Sequence, residues 1–290
     1  MNSKTIVLLQ ERDFGQKMNA SFEFVTKNFS PLVKALLFIA GPSALLSGIA
    51  NGLFQSGNLS AATMTDPSLM VSQYFVLEFL FVIIFSVTTY FLAYATVSSF
   101  ITLYEERGSS VDITPGLVWN KLSENIGASL GALVLSFIAT MVGVLFFIVP
   151  GIYLSIALQF FMMITIREKL SAVDALKRSQ KLIKDKWWST FGLIMIMSMV
   201  AGIIAIIFQL PVLAITMMKT LGLTADWTNL KVWMVLGSAL SILGTSIIQG
   251  LVWVSLAFQY YNLVERQTGS GLMTEIDSLG SSDWDRAKSE

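Results

Sequence analysis

Few residues in this chain could do chemistry, and most of them lie inside apolar stretches. Glu78 sits eight residues into a hydrophobic run that begins at Met70, about 12 Å along a helix. An ionisable side chain there suits proton or cation passage, or faces a hydrated vestibule. Lys34 lies about one turn inside an earlier run, so its ammonium can reach the headgroups, at a depth opposite to Glu78. Gln73, Gln159, Gln209, Gln249 and Gln259, with Asn51 and Asn262, add neutral donors and acceptors. Two glutamines share a context: SIALQFF at Ser155–Phe161 returns as SLAFQYY at Ser255–Tyr261. The pair reads either as two halves of a polar site or as the trace of a duplicated helix. Hydrogen bonds of this kind contribute about 0.6 kcal/mol each, up to about 2, enough to orient helices without a substrate. Gln209 precedes Pro211, where a broken helix could hold a ligand or simply kink at its outer end. Glu78, Gln159, Gln209 and Gln259 are the candidates for a polar path.

Other chemistry is excluded by what is missing. The chain has no cysteine and no histidine, which removes thiol nucleophiles, Cys-ligated metals and the commonest general base. It has no phosphate-binding glycine loop, no convincing Ser/Lys dyad and no carboxylate pair on one helix face. Glu105 and Glu106 end an apolar run and are expected to be solvated. No catalytic residue, metal site or cofactor is expected. A formal net charge of zero argues against nucleic acid as a partner.

The elements that must position these residues are membrane helices. Hydrophobic residues make up 54% of the 290 and charged ones 13%, against about 25% charged in soluble domains, and the mean hydropathy is +0.68. The N-terminus has only a short apolar run before charges resume, so no signal peptide is expected. Six apolar segments can be placed, from about Pro31 to Gln55, Met70 to Tyr104, Gly127 to Val149, Ile152 to Ile166, Trp187 to Met218 and Val232 to Val264. Pro150-Gly151 is the expected turn between the third and fourth, and Gln209-Leu210-Pro211 the expected interruption of the fifth. Lysines and arginines concentrate before the first segment and in Arg167–Lys186, which places both chain ends in the cytoplasm.

Short amphipathic helices precede the spans. Phe14, Met18, Phe22, Val25 and Phe29 form one stripe at helical spacing, with Lys17, Glu23 and Lys27 off it. Thr114-Pro115 opens a second, as N-cap and N1, continued by Leu117, Val118, Leu122 and Ile126. Ser171 and Asp174 open a third, whose apolar side is Val173, Leu176, Ile183 and Trp187. Such helices lie in the interface plane. Lys177, Arg178, Lys181, Lys184 and Lys186 make the third a candidate docking surface for anionic lipid or a cytoplasmic partner. Helix plus hairpin recurs three times, over about residues 11–104, 112–166 and 171–264. In the first unit Phe100 stands where the glutamine would be, so the unit itself does not require that polar group. Gly48–Gly52, Gly127–Gly131 and Ser246–Gly250 allow close helix approach.

The run Pro150-Gly151-Ile152-Tyr153, the core Ala175-Leu176-Lys177-Arg178-Ser179, and Lys186-Trp187-Trp188 together resemble a known pattern. It is that of the membrane domain which in some bacteria precedes a glycerophosphodiester phosphodiesterase, and of its stand-alone relatives. Gln180 stands where the pattern has an aromatic. The resemblance implies a non-catalytic membrane domain, and no catalytic residue carries over from it.

The expectation is an all-α polytopic membrane bundle: six transmembrane helices in three hairpins, each preceded by an interfacial helix. Residues 1–264 form one membrane domain and 265–290 a disordered cytoplasmic tail. The expected role is a non-enzymatic scaffold or regulatory subunit in a bacterial inner membrane, partnered by lipids and other proteins of a complex. The alternative is a transporter or lipid-handling protein with a polar intramembrane path.

Overall fold

A computed structural model describes residues 6–61, 73–223, 227–269 and 273. Most of the tail and part of the two expected outer loops lie outside the described residues. Regular structure among the described residues is entirely helical. Helix α1 (Phe14–Lys27) starts at a reciprocal cap: the Asp13 carboxylate accepts from the Gln16 amide, and the Gln16 side chain accepts from that of Asp13. Next come α2 (Phe29–Ile39) and α3 (Gly41–Ala61), then α4 (Gln73–Arg107) and α5 (Pro115–Ser123). Thr114 caps α5 with Pro115 at its first position, as expected. The chain continues through α6 (Ile126–Phe146), α7 (Ile148–Ala157), the single turn α8 (Phe161–Met163) and a π-helical turn, Ile164–Glu168. Then follow α9 (Ala172–Ile183), α10 (Trp187–Thr220) and α11 (Trp227–Thr268). Five helical segments are long and apolar enough to cross a membrane, six if α2 and α3 count as one bent by 59°. This is a multi-pass membrane protein.

Several expected boundaries move. The first span is not continuous but breaks at Ala40 between α2 and α3. Pro150-Gly151 falls within the first turn of α7, and the chain reverses earlier, at the extended residue Phe147. A proline in a first turn removes only an N–H that has no intrahelical partner, so it starts this helix rather than separating two. Gly151 is needed there: a Cβ on it would lie 2.3 Å from the Val144 side chain. Helix α10 runs unbroken past Pro211, so the expected interruption of the fifth segment is absent.

The amphipathic helices also pack differently. The Phe14, Met18, Phe22 and Val25 stripe of α1 packs against Leu193 and Met197 of α10 and Leu251 and Val252 of α11, while Phe29 is exposed and opens α2. The other side of α1 is buried as well, through Lys17, Ala20, Ser21 and Phe24. Helix α1 is therefore a wedge with two covered faces, and Lys17 is not on a wet one. In α9 the buried face is Ala175, Ser179, Leu182 and Ile183, with Val173 exposed. Ser179 sets this register by donating to the Ala157 carbonyl and accepting from the Phe160 amide at the α7–α8 break.

The tightest packing lies where charged residues gather, at the ends of α4 and α11 and against α1, α5, α8 and α9. Phe24, Tyr94, Phe100, Phe160, Phe258, Tyr260 and Tyr261 are fully buried there. The apolar stretches of α4, α6 and α10 are mostly exposed, as lipid-facing helices are. Helix α3 is pressed onto α11 through Gly48 and Gly52, where a Cβ would lie 2.4 and 2.5 Å from the Cα atoms of Ala239 and Val235.

Candidate functional site

Two helices carry polar stripes at helical spacing. On α3 they are Ser43, Ser47, Asn51 and Gln55; on α11, Ser238, Ser241, Thr245 and Gln249, ending at Trp253. Beside the glycine-tight α3–α11 contact, these stripes open onto chambers shared with α4 and α10. The first, about 340 Å³, is lined by Ser47, Ser86, Thr89 and Tyr90 on one side and by Gln209, Ser241, Thr245, Ser246, Gln249 and Trp253 on the other. The second, about 550 Å³, adds Asn51, Gln55, Thr216 and Ser238 and shares Gln209 and Ser241 with the first. A groove of about 680 Å³ between α4, α6 and α7 shares Ser86 and Tyr90 with the first chamber and reaches Gln159.

The chambers have a consistent chemistry. No Asp, Glu, Lys or Arg lines either one. Some hydroxyls are already engaged: Ser47 with Ser86 at 3.0 Å, Thr89 with Ser43 at 3.1 Å, and Ser246 with the Ile242 carbonyl at 2.7 Å. Others are buried without a partner among the described residues, namely the Thr245 and Ser238 hydroxyls and the Trp253 Nε1–H. The indole is fixed by stacking on Tyr94 at 4.4 Å and by an edge contact with Tyr90 at 5.1 Å, so its N–H is a positioned donor.

The candidates for the polar path divide. Gln209 joins the two chambers, and Gln159 lines the groove, its side-chain carbonyl buried and without a partner among the described residues. Glu78, half-buried on α4, lines neither the chambers nor the groove. Gln259 is fully buried elsewhere, between Lys17 and Thr190. The repeated glutamines thus do not meet. Lys34 is exposed on α2, and Lys177, Lys181, Lys184 and Lys186 are exposed on α9 and just after it. Arg178 differs: it binds Glu168 at 3.3 Å and Gln267 at 2.8 Å, so it is engaged within the fold.

A charged layer escaped the sequence reading. Arg167 makes a bidentate pair with Glu105, both bonds at 2.7 Å, and stands over the Tyr261 ring at 4.9 Å. Tyr261 donates to Glu105 at 2.8 Å and Tyr260 to Glu168 at 2.6 Å. Glu105 is therefore a structural ion-pair partner and not a solvated helix end; Glu106, more exposed, pairs with Lys121. Nearby, the Lys17 ammonium donates to Gln259 at 2.6 Å and Ser189 at 3.2 Å, with no carboxylate paired to it among the described residues. Burial, then the like charges of Arg266 and Lys186, lower its pKa to about 8, Asp13 opposing.

Residues 75–263 match a protein family described as a domain of unknown function, DUF7847. The chain belongs to this family. No curated protein and no solved structure matches the chain. The DUF7847 region spans nearly all of α4 and runs through most of α11, and so includes Gln159, Gln209, the α11 polar stripe and the Glu105–Arg167 pair. Ser47, Asn51 and Lys17 precede it.

Proposed function

We propose that the protein is a non-enzymatic transport or lipid-handling protein whose polar path runs through the chambers between α3, α4, α10 and α11. The observation that carries this reading is the first chamber, about 340 Å³ of space lined by Ser86, Thr89, Gln209, Thr245 and Gln249 and by no charged residue. A tightly packed dry bundle would have favoured a scaffold instead. With no formal charge in the lining, the path suits a neutral polar solute or a hydroxyl-rich group; a bare ion would pay a large desolvation cost there. The path uses Gln209, extends toward Gln159 by the groove that shares Ser86 and Tyr90 with the first chamber, and leaves out Glu78 and Gln259.

In this reading α3, α4, α10 and α11 cross a bacterial inner membrane, and both chain ends face the cytoplasm, where the lysine-rich segments favour them. The hairpin of α6 and α7 does not cross in this reading, and its turn lies at the lysine-rich face. Val149, Ile152 and Tyr153 at its turn line one cavity with Lys184 and Lys186, although the sequence places these groups on opposite faces. The likeness to the membrane domains that accompany glycerophosphodiester phosphodiesterases belongs with this proposal, as a further hint of a lipid-related role. A scaffold or regulatory role is the second reading, favoured by the exposed Lys177 and Lys181 on α9.

Proteoliposomes carrying the full chain test the path by their permeability to small neutral solutes such as glycerol. Gln209→Leu with Gln249→Leu is expected to abolish the protein-dependent flux, while Glu78→Gln leaves it unchanged. Equal flux from the double variant and the parent protein would sink the proposal.

A further inference from the structure

A separate cavity of about 720 Å³ lies between the start of α7 and the elbow that joins α9 to α10. Its rim carries Lys184, Lys186 and the Ser189 hydroxyl against a single acid, Asp185. Neither lysine has an ion-pair partner among the described residues. Behind Ser189 sits the buried Lys17 ammonium, 3.2 Å from the hydroxyl and likewise without a carboxylate. The wall is an aromatic stack, Tyr153 on Trp187 at 5.8 Å and Trp187 on Phe191 at 5.3 Å, anchored by Trp187 Nε1–H donating to the Tyr153 carbonyl at 3.1 Å. Trp188 stands beside the lysines, 77% exposed. From the opposite lip an apolar surface continues over Phe146, Phe147, Ile148 and Val149, all at least 70% exposed.

We propose that this cavity binds the phosphate of an anionic glycerophospholipid, with the headgroup between Lys184 and Lys186 and the acyl chains along the α6–α7 tip. Each part of the site matches one part of the ligand. Two flexible ammonium groups and a hydroxyl suit a phosphate that is not held by a planar fork. Tyrosine and tryptophan with one polar and one apolar edge belong at headgroup depth. The apolar lip gives acyl chains a place to lie, which a soluble anion would not need, so the occupant is a lipid. The cavity is of the size that small ligands fill, roughly 300–1,000 Å³. The lowered proton affinity of Lys17 fits the same picture, since a phosphate beside Ser189 supplies the negative charge this cluster of cations lacks. The site shares no lining residue with the chambers, so it stands or falls apart from the transport reading.

The test uses the purified full chain in a neutral detergent, titrated with dihexanoyl phosphatidylglycerol and followed by tryptophan fluorescence. At about fivefold per lysine near a headgroup, Lys184→Gln with Lys186→Gln is expected to weaken binding about 25-fold. Lys177→Gln with Lys181→Gln, equal in charge but outside the cavity, is expected to change it by less than about twofold. Dihexanoyl phosphatidylcholine should bind at least about tenfold more weakly, and millimolar inorganic phosphate should not compete. Equal losses from the two lysine pairs would reduce the effect to diffuse attraction and overturn the site. Equal binding of phosphatidylcholine would overturn its selectivity for anionic lipid, and competition by inorganic phosphate would make it a site for soluble anions.

Discussion

Lys17 offers a measurement that isolates one buried charge. In the unfolded chain its ammonium titrates at the ordinary value of 10.5, and in the folded protein at about 8. Between those pH values the unfolded state binds a proton that the folded state does not, so stability rises with pH across this window. Below pH 8 both states are charged, and the full burial cost is present. The difference of about 2.5 pH units corresponds to about 3 kcal/mol; Lys17 is only 3% exposed, so solvent screening takes little from it. Lys17→Met keeps the chain length and removes the charge. Unfolding of parent and variant in the same detergent, from pH 7 to 10.5, gives two curves in which every other titrating group is common. Their difference is expected to be level up to about pH 7.5 and then to move by up to about 3 kcal/mol in favour of the parent. At pH 7 itself the variant also loses the bonds to Gln259 and Ser189, worth about 1–3 kcal/mol where a buried acceptor is orphaned, so the slope is the diagnostic and not the offset. A difference curve that stays flat to pH 10.5 would refute the burial of a charged Lys17.

Three further outcomes are expected. Gly48→Ala should destabilise by about 1–3 kcal/mol, because its new methyl meets the Ala239 backbone on α11; unfolding in detergent measures this. Arg167→Gln should cost about 2–4 kcal/mol, below the value for a fully buried pair because both partners keep about a fifth of their surface, and a double-mutant cycle with Glu105→Gln should return coupling energy. Because the chain has no cysteine, single cysteines report cleanly on sidedness: Lys186→Cys should react with a membrane-impermeant reagent from one face, and Leu221→Cys, about 50 Å away along α10, from the other.

What could be read from the sequence follows from the range of the interactions. Thr114 and Ser171 cap their helices as expected, because a cap joins residues three apart. Gly48 and Gly52 bring helices together as their spacing suggests. The apolar segments emerged from length alone, though their breaks did not: a π-turn at Ile164–Glu168 and the bend at Ala40 depend on what packs beside them. The burial of Lys17 is not legible, because its partner, Gln259, lies on the last helix and the local pattern of α1 has no record of it. Arg167 and Glu105 each read as charges flanking apolar runs, and their pairing depends on the arrangement of α4 against the π-turn. The polar stripe of α11, Ser238, Ser241, Thr245 and Gln249, was legible as spacing. Apart from Gln249 it carries little signal, because serine and threonine in membrane helices so often bond their own backbone, as Ser246 does.

The buried contacts of α1 also impose an order on biosynthesis. The Arg12 amide donates to Asn262 and Lys17 to Gln259, so the beginning of the chain is locked by residues translated about 250 positions later. At about 5–20 residues per second, roughly 12 to 50 seconds pass before α11 is available. Until then Phe24 can meet Phe100 and Tyr104 of α4, and later Phe14 and Met18 can meet α10, but Lys17 and Arg12 lack their α11 acceptors. The contacts of α1 with α11 are therefore the last of its contacts that synthesis makes available.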